Sequence, residues 1–524
     1  MSHRTLLLLA FGIAQAILYS SLMPLWEGFD EPWHYGYVQY LSTSHRFPVL
    51  GETHLSHEVW DSMLASPVSH VVHDPFPELQ TFDQYFRLTP EARALQRSTL
   101  EHIPANRSET ARANYEIQHP PLAYAILAIP DYLLRNASVP LRILWLRIFN
   151  SVLCAILVFI AARYLFGTLG LPAAYSDLGI FCIFACQMYW ATTAHIACDG
   201  IALVLSLWYF GAIAAFAQKP QRATALRLSL AAALGLLAKA YFLPLAAFAL
   251  CLIAIRRIRV ATLFVAIVAL LAGPWYARNL ALYHNLTGLQ MNSAGIPVRQ
   301  SIEGLLQVNW LRAIPYMLRG TLWTGNNSFT TFSSITLNCL LALLAAGLVL
   351  YAWRNRKPEP GAAAVLGASA ILIAAVVWVT GNDVFFVHGR SAGAEPWYTE
   401  PLLPPLLAIA LLSMNRVIAA AVCALWTYIC IATYVVKLIP LYGGYPEGRS
   451  TLSGILHWYA AAGPELQSIT LAPPLMIYLE TALVSGLAIV LATLLTTRVL
   501  RQTVALCSTR FHLRRLTFLA CRFP

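Results

Sequence analysis

The sequence predicts an all-α polytopic membrane protein with about twelve transmembrane helices and a long, partly helical first extracytoplasmic loop. Three observations predict it. The 524 residues are 58% hydrophobic and 11% charged, with a mean hydropathy of +0.61, whereas soluble domains run near a quarter charged. Apolar segments recur along the whole chain. Acidic side chains concentrate in one early stretch, and basic clusters stand elsewhere.

The opening segment, residues 5–23, carries no charge and is long enough to cross a hydrocarbon core of roughly 30 Å. A cleaved signal peptide is the competing reading, and the many later apolar stretches favour a first membrane helix. Residues 24–120 then hold 13 Asp or Glu against 6 Arg and no Lys. Basic clusters follow at RRIR (256–259), RNRK (354–357) and TRFHLRRL in the tail. The positive-inside rule places these three in the cytoplasm and the acidic loop on the other side. Topology thus accounts for the net charge of +11 without a nucleic-acid partner. None of the ten cysteines falls in the acidic loop, so no disulfide framework is expected there.

Apolar segments recur near 5–23, 121–134, 143–165, 177–197, 200–217, 225–255, 260–275, 335–353, 361–380, 402–415, 417–436 and 473–497. The stretches between them at 24–120, 276–334, 381–401 and 437–472 are too polar and long for tight turns. Alternation from a cytoplasmic amino terminus puts all four outside. The segment 225–255 strains this scheme, because Lys239 sits mid-way and Pro244 just after. As one helix it is about 46 Å long and buries a lysine. As two half-length helices it carries Lys239 to the outer surface and inverts everything before it. Parity with the first helix favours one net crossing. In the first loop, Thr89 before Pro90 reads as the cap of a short helix.

Just past the first segment stands PLWEGFDEPWHYGY (24–37), with Asp30 and Glu31 adjacent among aromatic rings. Like charges near apolar rings raise the pKa of at least one carboxyl. That suits a general base working on a hydroxyl. The plainer reading is that the pair caps the helix that Pro32 begins. A second stretch, NYEIQHPPLAYAIL (114–127), returns the loop to the membrane, with Glu116, Gln118 and His119 at the interface.

Together, DEPWHYGYVQYL after the first helix and QHPPLAYAIL opening the second resemble the GT-C superfamily of glycosyltransferases, nearest its protein O-mannosyltransferase and aminoarabinose-transferase branches. ATTAHIACDG with Asp199, GLLAKAYFLPL with Lys239, GPWYARNLALYHNLTG with Arg278, and HGRSAGAEPWYTEPLLPPLLAIALL with Arg390 extend the resemblance over about residues 5–415. It implies a GT-C fold in 1–415, further helices in 416–497 and a basic cytoplasmic tail in 498–524. It also implies a polyprenyl-phosphate sugar donor attacked on the outer face with inversion. The acceptor would be a hydroxyl on a glycan, lipid or protein, in a setting such as the bacterial inner membrane.

By position, the resemblance makes Asp30 the catalytic base and Glu31 its neighbour, with His34, Glu116, His119, Asp199, Lys239, Arg278 and Arg390 binding substrate. A lipid-phosphate leaving group needs cationic stabilisation, which arginine suits best. The sequence departs from the family where its first loop has no lysine, leaving Arg87 or Arg93 to serve, and where Ser391 follows Arg390.

No cofactor is required by these motifs. HLSH (54–57) and HVVH (70–73) place histidines three apart, so a divalent metal, with Asp30 or Glu31 as further ligands, and a chance clustering both stay open. A transporter or lipid flippase is the alternative function. Paired broken helices with mid-depth charges would mark it, and the sequence shows no such matching halves. A non-catalytic scaffold binding a cell-wall polymer is a third reading.

Overall fold

A computed structural model describes residues 3–289, 295–386, 393–445, 451–461, 466 and 468–520. Each expected apolar segment is helical in it. Seven helices among the described residues are individually long and apolar enough to cross a membrane: His3–Leu22, Val139–Thr168, Asp199–Gln218, Ser334–Arg354, Pro360–Phe385, Arg416–Tyr442 and Pro474–Arg501. The bent pair Phe242–Leu271 and Gly273–Tyr283 is an eighth candidate, and Leu122–Leu133 and Ala173–Ala185 are shorter apolar helices, so fewer than the expected twelve segments are long enough singly.

Two faces of the bundle are fixed by polar contacts. On one, Asp177 pairs with both Arg163 and Arg498, Gln218 bonds Thr168 O, and Arg257 bonds Pro220 O. This is the face of the basic clusters. On the other stand the first loop and its attachments, including Arg278 bonded to Pro48 O and Leu50 N bonded to the Tyr283 hydroxyl.

Against this frame two expected crossings exchange roles. Helix Leu122–Leu133 does not cross, since its first amide bonds Leu237 O and the carbonyl of Arg135 just beyond it accepts from Arg107 of the first loop. At 12 residues it spans only about 18 Å, and its Asp131 accepts hydrogen bonds from Tyr35 and Ser42 of the loop. The segment expected to make one net crossing is instead two helices, Arg222–Leu236 and Phe242–Arg257. Lys239 lies at their junction on the loop face. The reason is electrostatic: there it meets Asp199, whereas mid-helix it would stand unpaired in lipid. The two changes cancel, so the later loops stand on the face of the first loop, as Arg278 to Pro48 O, Ser328 to Glu27 and Tyr85 to Ser468 O show, and Asp199 joins them there.

The first loop is a folded cap. Helix Glu31–Ser44 packs along Leu122–Leu133, with Tyr37 stacked on Tyr124 at 4.0 Å. Thr89 accepts from Ala92 N and caps Pro90–Glu101 as expected. Two small sheets were not expected: His54–Ser56 pairs antiparallel with Glu109–Ala113, and Pro67–Val68 pairs parallel with Gln80–Thr81. A buried ion pair, Arg142 to Glu58 at 2.6 Å, ties the cap to helix Val139–Thr168. Beneath it, Tyr19 donates to Asn326 and accepts from Gln187, each at 2.6 Å, while Asn326 donates to Tyr442 at 2.7 Å. These bonds join the first helix to the late ones.

Candidate active site

The turn after the first helix places the first carboxylate. Trp26 and Asp30 both adopt left-handed backbone conformations, with φ of 62° and 51°. This is uncommon and strained for side-chain-bearing residues. Asp30 occupies the N-cap position of helix Glu31–Ser44, yet its side chain makes no capping bond. The capping reading therefore fails. Its Oδ1 instead accepts from the Tyr115 hydroxyl at 2.7 Å.

Arg147 holds this turn in shape. It donates to Met23 O at 2.7 Å, to Pro24 O at 2.9 Å, and to both carboxylate oxygens of Glu31. Glu31 Oε1 also accepts from Ile196 N at 3.1 Å. Burial alone would raise the Glu31 pKa, but Arg147 more than reverses that and holds the carboxyl low. Glu31 thus does not join Asp30 in the cavity; it braces the residues beside Asp30 and His195. Gly28 is needed here, because a Cβ on it would lie 2.4 Å from the His195 Cβ.

Asp30 faces a polar cavity of about 90 Å³ shared with His34, Glu116, His119, His195, Asp199 and Lys239. Burial, and then the negative field of Glu116, push the Asp30 pKa up to about 7. The expected source, repulsion from Glu31, does not operate because Arg147 neutralises Glu31. Glu116 Oε2 lies 2.9 Å from His119 Nε2 and 3.4 Å from His34 Nδ1. His34 Nδ1 also meets the Tyr124 hydroxyl at 2.8 Å. Burial lowers the His34 pKa to about 4 despite the pull of Glu116, so this imidazole is neutral at pH 7. Asn114 fixes the re-entering segment, donating to Trp33 O at 2.8 Å and accepting from Glu116 N at 3.0 Å.

Lys239 forms a buried ion pair with Asp199, with its ammonium 5.2 Å from the centre of the Tyr398 ring. Behind it opens an apolar groove of about 440 Å³, between the helices Phe242–Arg257 and Pro360–Phe386. The groove and the polar cavity share Gln118, His119, Lys239 and Tyr398. Lys239 therefore stands where a greasy channel meets a polar chamber.

Of the expected residues, Asp30, His34, Glu116, His119, Asp199 and Lys239 come together. Arg278 does not line the cavity; it donates to Pro48 O at 2.7 Å and stacks over Trp275. Arg87 and Arg93 do not line it either. Arg390 lies outside the described residues. His195, Tyr115, Trp397 and Tyr398 are site residues that sequence reasoning did not single out. His195 lies in the short non-helical stretch between the helices Gln187–Thr193 and Asp199–Gln218, four residues before Asp199.

The HVVH motif does gather, with His70, His73 and Asp74 close enough for one ion, but on the surface of the cap. His54 of HLSH is engaged elsewhere, with Glu52 O and Glu109.

A family model described as "Predicted membrane protein (DUF2142)" matches residues 13–391. No curated protein matches the chain. Among solved structures, ArnT from Cupriavidus metallidurans bound to undecaprenyl phosphate is similar at 12% identity, with a TM-score of 0.45, covering 94% of this chain and 76% of that one. An Archaeoglobus fulgidus oligosaccharyltransferase tethered to an acceptor peptide is similar at 14% identity and a TM-score of 0.42. That likeness covers 93% of this chain and 55% of the archaeal one, so the chain spans about half its length.

Proposed function

We propose that this chain, which belongs to the DUF2142 family of predicted membrane proteins, transfers a glycosyl group from a polyprenyl-phosphate sugar to an acceptor hydroxyl, with inversion. Asp30 is the general base. The observation that carries the reading is the position of Asp30, held by a strained turn at the polar end of an apolar groove with no structural bond that explains it except Tyr115.

A base working on a hydroxyl is most effective with a pKa near the operating pH, and the Asp30 value of about 7 meets that condition. The groove takes the prenyl chain, and Lys239 meets the phosphate at its mouth. An ammonium there stabilises charge developing on the leaving phosphate. The pair with Asp199 keeps that ammonium charged in a desolvated place until substrate arrives. His34, Glu116 and His119 then border the sugar. The resemblance of the motifs to GT-C glycosyltransferases supports the same assignment. The basic face lies in the cytoplasm of a bacterial inner membrane and the cavity opens on the outer side.

The test is turnover of polyprenyl-phosphate sugars in proteoliposomes, with Asp30→Asn at matched expression and folding. Loss of more than about a hundredfold supports the assignment. Equal turnover removes Asp30 from the chemistry, and no turnover from any donor favours the transporter alternative.

A further inference from the structure

A second cavity, of about 700 Å³, lies on the neighbouring flank of helix Pro360–Phe386. Leu372, Ala375 and Val379 of that helix line the first groove, whereas Ile373 and Val377 line the second. Only Val376 touches both. The two spaces are therefore separate and can be filled together.

The second cavity is apolar. Its polar side chains are Trp310, which donates to Leu305 O, and Thr321 and Thr399, whose hydroxyls bond each other at 2.6 Å. With every polar group occupied, nothing in the walls holds water, and such cavities bind apolar ligands. Helix Trp310–Gly320 forms one side and leaves Leu311 91% exposed, so this part of the protein meets hydrocarbon. The head of the cavity is the chain at 396–402: Thr399 and Leu402 line it, while Trp397 and Tyr398 line the polar chamber of Asp30. Glu400, between them, binds Thr192 of that chamber at 2.5 Å.

We propose that the second cavity holds the hydrocarbon chain of the acceptor, so that the acceptor is itself a membrane lipid bearing a hydroxyl headgroup. This rests on the glycosyl-transfer reading. A transferase whose sole lipid is its donor needs one apolar channel ending at the reacting centre. Two channels that flank one helix, one reaching Tyr398 and the other the adjacent Thr399 of the same short segment, would let a lipid donor and a lipid acceptor bring both headgroups toward the chamber of Asp30. A peptide or soluble glycan would have no use for the second.

The full chain is placed in lipid nanodiscs with a phospholipid carrying a diazirine at its acyl terminus, and labelled residues are mapped by mass spectrometry. Label is expected on Met317, Leu344 and Leu406. Ala345→Trp and Ala342→Trp, which fill the cavity from helix Ser334–Arg354, are expected to cut that label at least about fivefold while the rest of the helical belt stays labelled. Using both positions, each checked for an unchanged elution profile, guards against one misfolded variant. Even labelling that neither variant changes overturns the proposal. In vesicles supplied with a radiolabelled polyprenyl-phosphate sugar, the label is expected in an organic-soluble glycolipid. Both variants should lower this product about tenfold and spare hydrolysis of the donor. Undiminished transfer to a water-soluble acceptor overturns it too. If no donor turns over in the unsubstituted protein, the glycosyl-transfer reading fails, and the photolabelling separately decides whether the cavity takes lipid.

Discussion

The Tyr115 hydroxyl donates to Asp30 Oδ1 at 2.7 Å, joining the turn after the first helix to the segment that re-enters the bundle 85 residues later. This bond favours the ionised carboxyl, against the burial and the Glu116 field that oppose it.

Turnover is therefore expected to rise with pH through an inflection near 7, as Asp30 loses its proton. Tyr115→Phe removes a bond to the charged form, so the inflection should move up, by about one unit. A pH–rate profile of both proteins checks it. A shift downward would mean the hydroxyl does not serve Asp30.

The same raised pKa has a consequence for stability. A buried carboxyl with a folded pKa above its unfolded value stabilises the fold at low pH, and that contribution is lost as pH rises from about 4 to about 7. Asp30→Asn escapes the loss. The variant is expected to be more stable than the natural protein at pH 8, by up to roughly 4 kcal/mol, with the gap narrowing to about 1–2 kcal/mol at pH 5. Thermal unfolding in detergent at the two pH values measures it.

Arg147 has no exposed surface and neutralises an equally buried Glu31. Arg147→Ala strands that carboxylate, so a loss of about 3–5 kcal/mol and of all activity is expected. Arg147→Met with Glu31→Gln should recover much of the stability. It should not recover turnover, because the bonds to Met23 O and Pro24 O that shape the Asp30 turn are gone. Recovery of both would show that the clamp is dispensable.

Lys239→Met alone leaves Asp199 unpaired, so the informative variant adds Asp199→Asn. The double variant should fold, and its KM for a lipid-phosphate donor should rise at least about tenfold. Arg278→Ala, by contrast, loses a surface attachment to Pro48 O and should change KM by less than about threefold. The opposite ranking would move the phosphate to Arg278.

Gly28→Ala places a methyl 2.4 Å from the His195 Cβ, so the turn or His195 must move. Overpacking of this kind costs about 1–3 kcal/mol, and Asp30 is only two residues away. A large loss of turnover with a modest drop in melting temperature is expected.

Much of this was legible in the chain. The apolar segments, the acidic cap and the basic clusters are composition and periodicity, and the structure follows them. Asp30, His34, Glu116 and His119 were visible because two short motifs border the same loop. The helix Leu122–Leu133 was not readable as an interfacial one, since its residues are as apolar as those of a spanning helix. Its partners, Tyr35 and Ser42, lie in a loop helix that no local rule connects to it.

The sequence by itself determined that the chain must live in lipid, because so few charges cannot solvate so much apolar surface in water. It also determined which stretch lies outside the bundle. Only the tertiary structure decided which charges are spent on each other. Adjacent in sequence, Asp30 and Glu31 look equivalent; Arg147 closes on one and leaves the other facing the cavity. Lys239 and Asp199, 40 residues apart, had to be brought together before the depth of either could be known. In a low-dielectric interior a charge goes where its partner is, and partners are a property of the fold.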